Sequence, residues 1–192
     1  SISNDFTEIQ ENIGKLLDAT TVEDAVNLYD AINLASAGGM GEQEEYDVQS
    51  DNAKDELRKN NQTMYDVLEI SAGWDQLAFE LTNKMPKIFD IGFKTFDELR
   101  KDKRTNTATV QTFLTLLSKV PDTLISRKYG EEEASKVSES AKTLLNEYGE
   151  EYFDKDLNYF DDYLYENNYN PGTTADLTAA SIMLSYLKDE ME

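Results

Sequence analysis

At 192 residues, with 39 acidic against 18 basic side chains and a formal charge of −21, the chain carries no basic footprint of the kind that DNA and RNA binders need. It has no cysteine and no histidine, which excludes a disulfide framework, thiol chemistry, a histidine-based triad and a histidine-held zinc ion. Any catalysis must rest on carboxylates, lysine or arginine, tyrosine, hydroxyls or a hard metal ion.

The first segment, FTEIQENIGKLLDA, places Phe6, Ile9, Ile13 and Leu16/Leu17 on one helical face. In TTVEDAVNLYDAINLAS, Thr21 and Asp24 have capping-box spacing, and Val22, Ala25, Val26, Leu28/Tyr29 and Ile32 form the apolar side. AGGMGEQEEYDVQSDN then breaks the pattern with three of the nine glycines, Gly38, Gly39 and Gly41. Asn61 to Arg100 reads as two helices divided near Met85-Pro86, because proline ends or kinks a helix. TATVQTFLTLLSKV sets Val110, Phe113, Leu114 and Leu117 on one face; a short helix opens after Pro121 and stops near Gly130, before EEEASKVSESAKTLLNEY resumes. The tyrosine-rich stretch from Tyr152 to Glu166 has Phe153, Leu157, Phe160 and Leu164 at helical spacing, with its acids outside. No strand alternation of useful length occurs, so the expected class is all-α: a single multi-helix antiparallel bundle of about seven to nine helices, one domain over 1–192.

No apolar run approaches the roughly 20 residues that span a bilayer, and SISNDFTEIQ lacks the features of a secretory signal, so cytoplasmic residence is the default. The abrupt start within a helix-like segment points to a piece of something longer.

Three stretches could carry chemistry. In NPGTTADLTAA, Asn170 to Asp176 combine a backbone-exposing Gly172, two hydroxyls at Thr173 and Thr174, and the positive end of a following helix, which suits a phosphate or carboxylate. Thr173 and Asp176 equally have capping-box spacing, and on spacing alone a plain helix cap is the favoured alternative. In VPDTLISRKYG, Asp122 opens a helix that Arg127 and Lys128 close, a pattern that also simply matches the helix dipole. The glycine loop at Gly38, Gly39 and Gly41 lacks the order of a P-loop or of GxGxxG, and RKDKR at Arg100 to Arg104 reads as a solvated helix end.

In this order, TTVEDAVNLYDAINLASAGGMGEQEEYDV, TFLTLLSKVPDTLISRKYGEEEASKVSESA and NPGTTADLTAA resemble the C-terminal half of triphosphoribosyl-dephospho-coenzyme A synthase-like proteins, in particular the archaeal-type branch. The resemblance runs from about Ile13 to Leu187, with NPGTTADL and PDTLI as its most specific parts. It implies an all-α enzyme that joins the triphosphoribosyl part of ATP to the ribose of dephospho-CoA and releases adenine, with ATP as substrate and Mg²⁺ as the cation. It further implies catalytic carboxylates at Asp122, Asp176 and Asp47, the first two also as metal or ribose ligands. Phosphate approach falls to Gly38, Gly39, Gly41, Asn170, Gly172, Thr173 and Thr174, and charge neutralisation to Arg127 and Lys128. The chain lacks the PKPGNV-like and NTNLG-like segments of the family's N-terminal half, and Gln111 stands where a histidine is expected before TFL. A missing N-terminal half, or a homodimer covering the same surface, is the corresponding expectation. The competing reading is a non-enzymatic acidic helical module that binds a protein partner through Tyr152–Tyr169, with an exposed apolar patch there and no pocket near Asp122 and Asp176.

Overall fold

The computed structural model describes residues 6–35, 46–146 and 153–191. Eleven α-helices and one π-helical turn account for the elements in these residues, and none is a strand, so the all-α expectation holds. No helix among them is long and apolar enough to cross a membrane. Contacts gather into two compact units, one ending at Met85 and the other beginning at Pro86.

The first unit contains α1 (Phe6–Asp18), α2 (Val22–Ala35), α3 (Ala53–Asn60), α4 (Met64–Ser71) and α5 (Gln76–Thr82). The capping box read at the start of α2 is present: Thr21 N–H donates to Asp24 Oδ2 at 2.7 Å and Asp24 N–H returns a bond to Thr21 Oγ1 at 3.3 Å. Thr63 and Asp66 repeat the device on α4. Ala25, Val26 and Tyr29 of α2 close over Val48, Ala53, Leu57 and Val67 to form the core of this unit. The Tyr29 hydroxyl is buried there and donates to the Tyr46 carbonyl at 2.6 Å. Desolvation, with Asp47 adding its charge, pushes this phenol up to about 12.

Two sequence expectations fail in this unit. The span from Asn61 to Arg100 holds four helical segments rather than two, because the chain turns at Ser71–Asp75 and Asp75 caps α5 by accepting from the Leu77 and Ala78 N–H groups. α3 lies between the glycine-rich break, which ends at Asn52, and Asn61, in a stretch to which the sequence reading assigned no element. The total therefore exceeds the expected seven to nine. Lys84 and Met85 both adopt left-handed backbone just before Pro86, which places the division where the proline indicated.

The second unit begins with the π-helical turn Ile88–Phe93, followed by α6 (Lys94–Leu99), α7 (Thr105–Lys119), α8 (Thr123–Tyr129), α9 (Glu131–Asn146), α10 (Phe153–Glu166) and α11 (Gly172–Met191). The apolar spacing read in α7 and α10 faces inward: Leu114 and Leu117 pack with Ile125, Val137, Ala141, Leu144, Phe160 and Leu164. Each fully buried side chain of this kind contributes about 1.5–3 kcal/mol relative to exposure. Gly130 ends α8 at φ 97°, a conformation that side chains with a Cβ rarely adopt.

Between α6 and α11, Asp97 accepts from Ser185 Oγ, Lys188 Nζ and the Arg100 guanidinium, and Arg100 reaches on to Asp189. The Asp97 side chain is 14% exposed. Its burial alone would push the carboxyl up, but the hydrogen bonds from Lys188, Ser185 and Arg100 outweigh that and hold it below the usual carboxylate value. A carboxyl depressed in the folded state stabilises above its unfolded pKa of about 3.9, and that contribution disappears as pH falls through the folded value. Asp97→Asn should therefore cost about 1–2 kcal/mol at pH 7 and progressively less below pH ~4. Urea unfolding of both proteins from pH 7 to 2 checks this; a penalty that persists undiminished at the lowest pH would mean packing, not charge, is responsible.

Candidate functional site

The two most specific motifs in the sequence are joined by one carboxylate. Asp122 is the N-cap of α8: its Oδ1 accepts from the Leu124 N–H at 3.0 Å and the Ile125 N–H at 3.3 Å. Its Oδ2 reaches the other motif, accepting from the Thr174 N–H and the Thr174 hydroxyl, each at 2.8 Å. A single side chain thus satisfies the orphan donors at the starts of both α8 and α11. Asp122 is 1% exposed. Burial pushes its carboxyl up, while the donors from Thr174, Ile125 and Leu124 pull the other way.

Neighbouring motif residues serve the same junction. Thr173 and Thr174 are buried, and the Thr173 and Thr123 hydroxyls share a hydrogen bond at 3.0 Å. Gly172 faces the side chain of Leu124, whose Cδ1 would stand 2.7 Å from an added Cβ. The close approach made here is by a leucine of α8. The expected local pairing of Thr173 with Asp176 is replaced: the capping carboxylate comes from Asp122, 52 residues upstream of Thr174. Asp176 lies exposed on the first turns of α11. Lys128 is exposed, its ammonium 5.0 Å from the centre of the Tyr129 ring, and Arg127 is half-buried on the same helix.

The remaining candidates fall elsewhere. Asp47 belongs to the first unit, where its Oδ1 accepts from the Gln49 N–H at 2.8 Å and closes a turn. Gly38, Gly39 and Gly41 lie outside the described residues. Gln111, where a histidine was expected, is buried in α7. Asp122 has both oxygens committed to N–H and O–H donors, and among the described residues no group of three or more acidic side chains gathers to hold a metal ion by protein ligands alone.

Beside the junction, α7, α10 and α11 line a solvent-open cavity of about 830 Å³. Val110, Phe113, Leu114, Leu157, Phe160, Leu164 and Ile182 supply its apolar walls, and Thr109, Asn158, Asp161, Asn170 and Thr178 its polar groups. Asn170, Pro171 and Ala175 belong both to this cavity and to the entry of α11, which ties it to the NPGTT motif. Of its polar residues only Asn170 stands out in the sequence. Asn158 and Asp161 sit on α10 among acids that periodicity assigns to the solvated face, and nothing local marks them.

The family described as CitG, ATP:dephospho-CoA triphosphoribosyl transferase, matches residues 2–192. The chain belongs to this family. That match is wider than the C-terminal portion the motifs suggested. A crystal structure of an Archaeoglobus fulgidus protein assigned as a triphosphoribosyl-dephospho-CoA synthase superposes with a TM-score of 0.77 at 26% identity, covering 95% of this chain and 73% of that one. No curated protein matches the sequence significantly. As a CitG-family chain, the molecule places its family motifs on α8 and α11 and locks them together through Asp122.

Proposed function

We propose that the protein transfers the triphosphoribosyl group of ATP to a ribose hydroxyl of dephospho-CoA with release of adenine. Family membership across residues 2–192 carries this reading. In the reaction the bond between the ribose anomeric carbon and the adenine nitrogen breaks, and its electron pair leaves with adenine, which takes up a proton. The acceptor oxygen forms the new bond to that carbon and loses its proton. The transition state is oxocarbenium-like, so a carboxylate close to the ribose stabilises it, and a carboxylate can also take the acceptor's proton.

Asp176 suits that role, since it is exposed within the NPGTTADL motif and its oxygens are available to a ligand. Asp122 acts as a positioning residue that fixes the start of α11. Thr173 and Gly172 shape the approach to that helix start, Arg127 and Lys128 supply positive charge on α8, and Asp47 remains a further carboxylate candidate in the first unit. No step is assigned to a protein-held metal.

Incubation with ATP and dephospho-CoA should release adenine, measured by chromatography. Asp176→Ala should slow release about 100-fold or more with little change in melting temperature. No adenine from the wild-type protein would overturn the reading. A second reading, an acidic helical module that docks a protein or a second copy, draws on the exposed Tyr159 and Tyr165 of α10 and Met183 and Leu187 of α11. It gains if adenine is absent and sedimentation shows self-association that Tyr165→Ser or Met183→Ser abolishes.

A further inference from the structure

The cavity of the second unit has the wrong charge for a triphosphate. Its one ionisable lining group besides tyrosine is Asp161, and among the described residues no lysine or arginine lines it. Phosphate recognition relies on cationic side chains, converging backbone N–H groups or a bridging cation, and the only charge this lining offers is the carboxylate of Asp161. The lining therefore suits a part of a ligand that carries no phosphate. At about 830 Å³ the space lies near the top of the range for ligand pockets, roughly 300–1,000 Å³, and exceeds what one flat base requires.

The acceptor named by the family, dephospho-CoA, has two chemically distinct ends. One is an anionic adenosine diphosphate. The other is the pantetheine arm, a neutral extended chain with a gem-dimethyl group, two amides and a thiol. We propose that the cavity between α7, α10 and α11 seats this pantetheine arm. Phe113, Phe160 and Ile182 offer apolar surface to the dimethyl and methylene groups. The carboxamides of Asn158 and Asn170 can each donate and accept, which matches the arm's amide C=O and N–H groups, and Asp161 accepts from an amide or hydroxyl proton. Because Asn170 and Pro171 also lead into α11, an arm held here directs the acceptor's charged end toward the start of that helix, where Asp176 lies. Binding energy gathered on this non-reacting arm helps position the reacting hydroxyl. The assignment rests on the transferase reading for its choice of ligand, and its test does not depend on turnover.

Calorimetric titration of the full chain with pantetheine, dephospho-CoA and ADP (the acceptor without its arm) decides it. Ala179, an exposed residue of α11 on the cavity wall, is replaced by phenylalanine to fill the space. Pantetheine binding should fall at least about tenfold in Ala179→Phe, and dephospho-CoA binding should fall in parallel, with ADP binding and melting temperature unchanged. Asn158→Ala should weaken pantetheine about threefold to tenfold. Failure of pantetheine to bind the wild-type protein, equal binding to both variants, or an ADP loss that parallels the dephospho-CoA loss would each overturn the assignment. Pantetheine binding that Ala179→Phe removes, with no adenine release from the wild-type protein, would leave the cavity assigned and the transferase reading refuted. Adenine release with an unchanged KM for dephospho-CoA in Ala179→Phe would refute the cavity assignment alone.

Discussion

Replacing Asp122 by alanine should lower the unfolding free energy by about 3 kcal/mol, and the melting temperature by about 6–12 °C for a chain of this size. Four donors lose their acceptor at once: the N–H groups of Leu124, Ile125 and Thr174, and the Thr174 hydroxyl. Each of two helix caps is worth about 1 kcal/mol, and donors stranded in a buried site add to that. Removing a carboxylate that is itself costly to bury returns part of the loss, which is why the figure is not larger. Asp122→Asn separates the parts. Its amide oxygen can still serve α8, but its NH₂ then faces Thr174 N–H, donor against donor, so an intermediate loss of about 1.5–2 kcal/mol is expected. Urea unfolding of the three proteins gives the ordering. Unchanged stability in Asp122→Ala, together with lost adenine release, would instead move this carboxylate into the chemistry.

Gly92→Ala should be the second most damaging change, at about 2 kcal/mol. Two effects oppose each other. Alanine is favoured over glycine in a helix interior by about 0.5–1 kcal/mol. An added Cβ, however, would lie 2.0 Å from Ser181 Oγ, 2.8 Å from Ser181 Cβ and 3.1 Å from Leu116 Cδ1. Rotating the hydroxyl away forfeits its 2.7 Å bond to the Leu177 carbonyl and leaves the Cβ contact in place. Overpacking of this kind costs about 1–3 kcal/mol, and with α11 pressed onto the π-helical turn it exceeds the propensity gain. The neighbour identifies the cause. Ser181→Gly alone should destabilise by about 1 kcal/mol, yet in the Gly92→Ala background it should restore stability, a reversal of sign that a double-mutant cycle reads directly. If the two losses simply add, the close approach of α11 is not the reason for glycine here.

What the sequence revealed followed the strength of its local signals. α7 and α10 were legible because Val110, Phe113, Leu114 and Leu117 repeat at helical spacing over about two turns, and Phe153, Leu157, Phe160 and Leu164 over about three, and α8 because Pro121 and Gly130 bracket it. α3 was not, since AKDELRKN buries only Ala53 and Leu57 and offers too few apolar positions to show a period. The turn between α4 and α5 was hidden for a similar reason: Gly73 and Asp75 are weak breaks inside an otherwise continuous helical pattern. At the candidate site the motif residues were visible but their partners were not. Thr173 and Asp176 have the spacing of a local cap, and nothing short-range says that Asp122 takes that position across 52 residues. The cavity residues Asn158 and Asp161 were invisible because a polar side chain at the rim of a pocket and one facing bulk water leave the same trace in a helical pattern.

The shared cap also bears on the order in which the second unit assembles. α8 has only seven residues, too few to persist on its own in water. Its Asp122 can meet Thr174 only after the intervening chain has closed, at a loop entropy that grows slowly with length. The contact therefore belongs to a late stage, after α7, α9 and α10 have collapsed. Losing it should chiefly speed unfolding and leave the refolding rate nearly unchanged. The junction acts as a latch on the finished unit: it sets how long the two motifs stay joined, and contributes little to how quickly they meet.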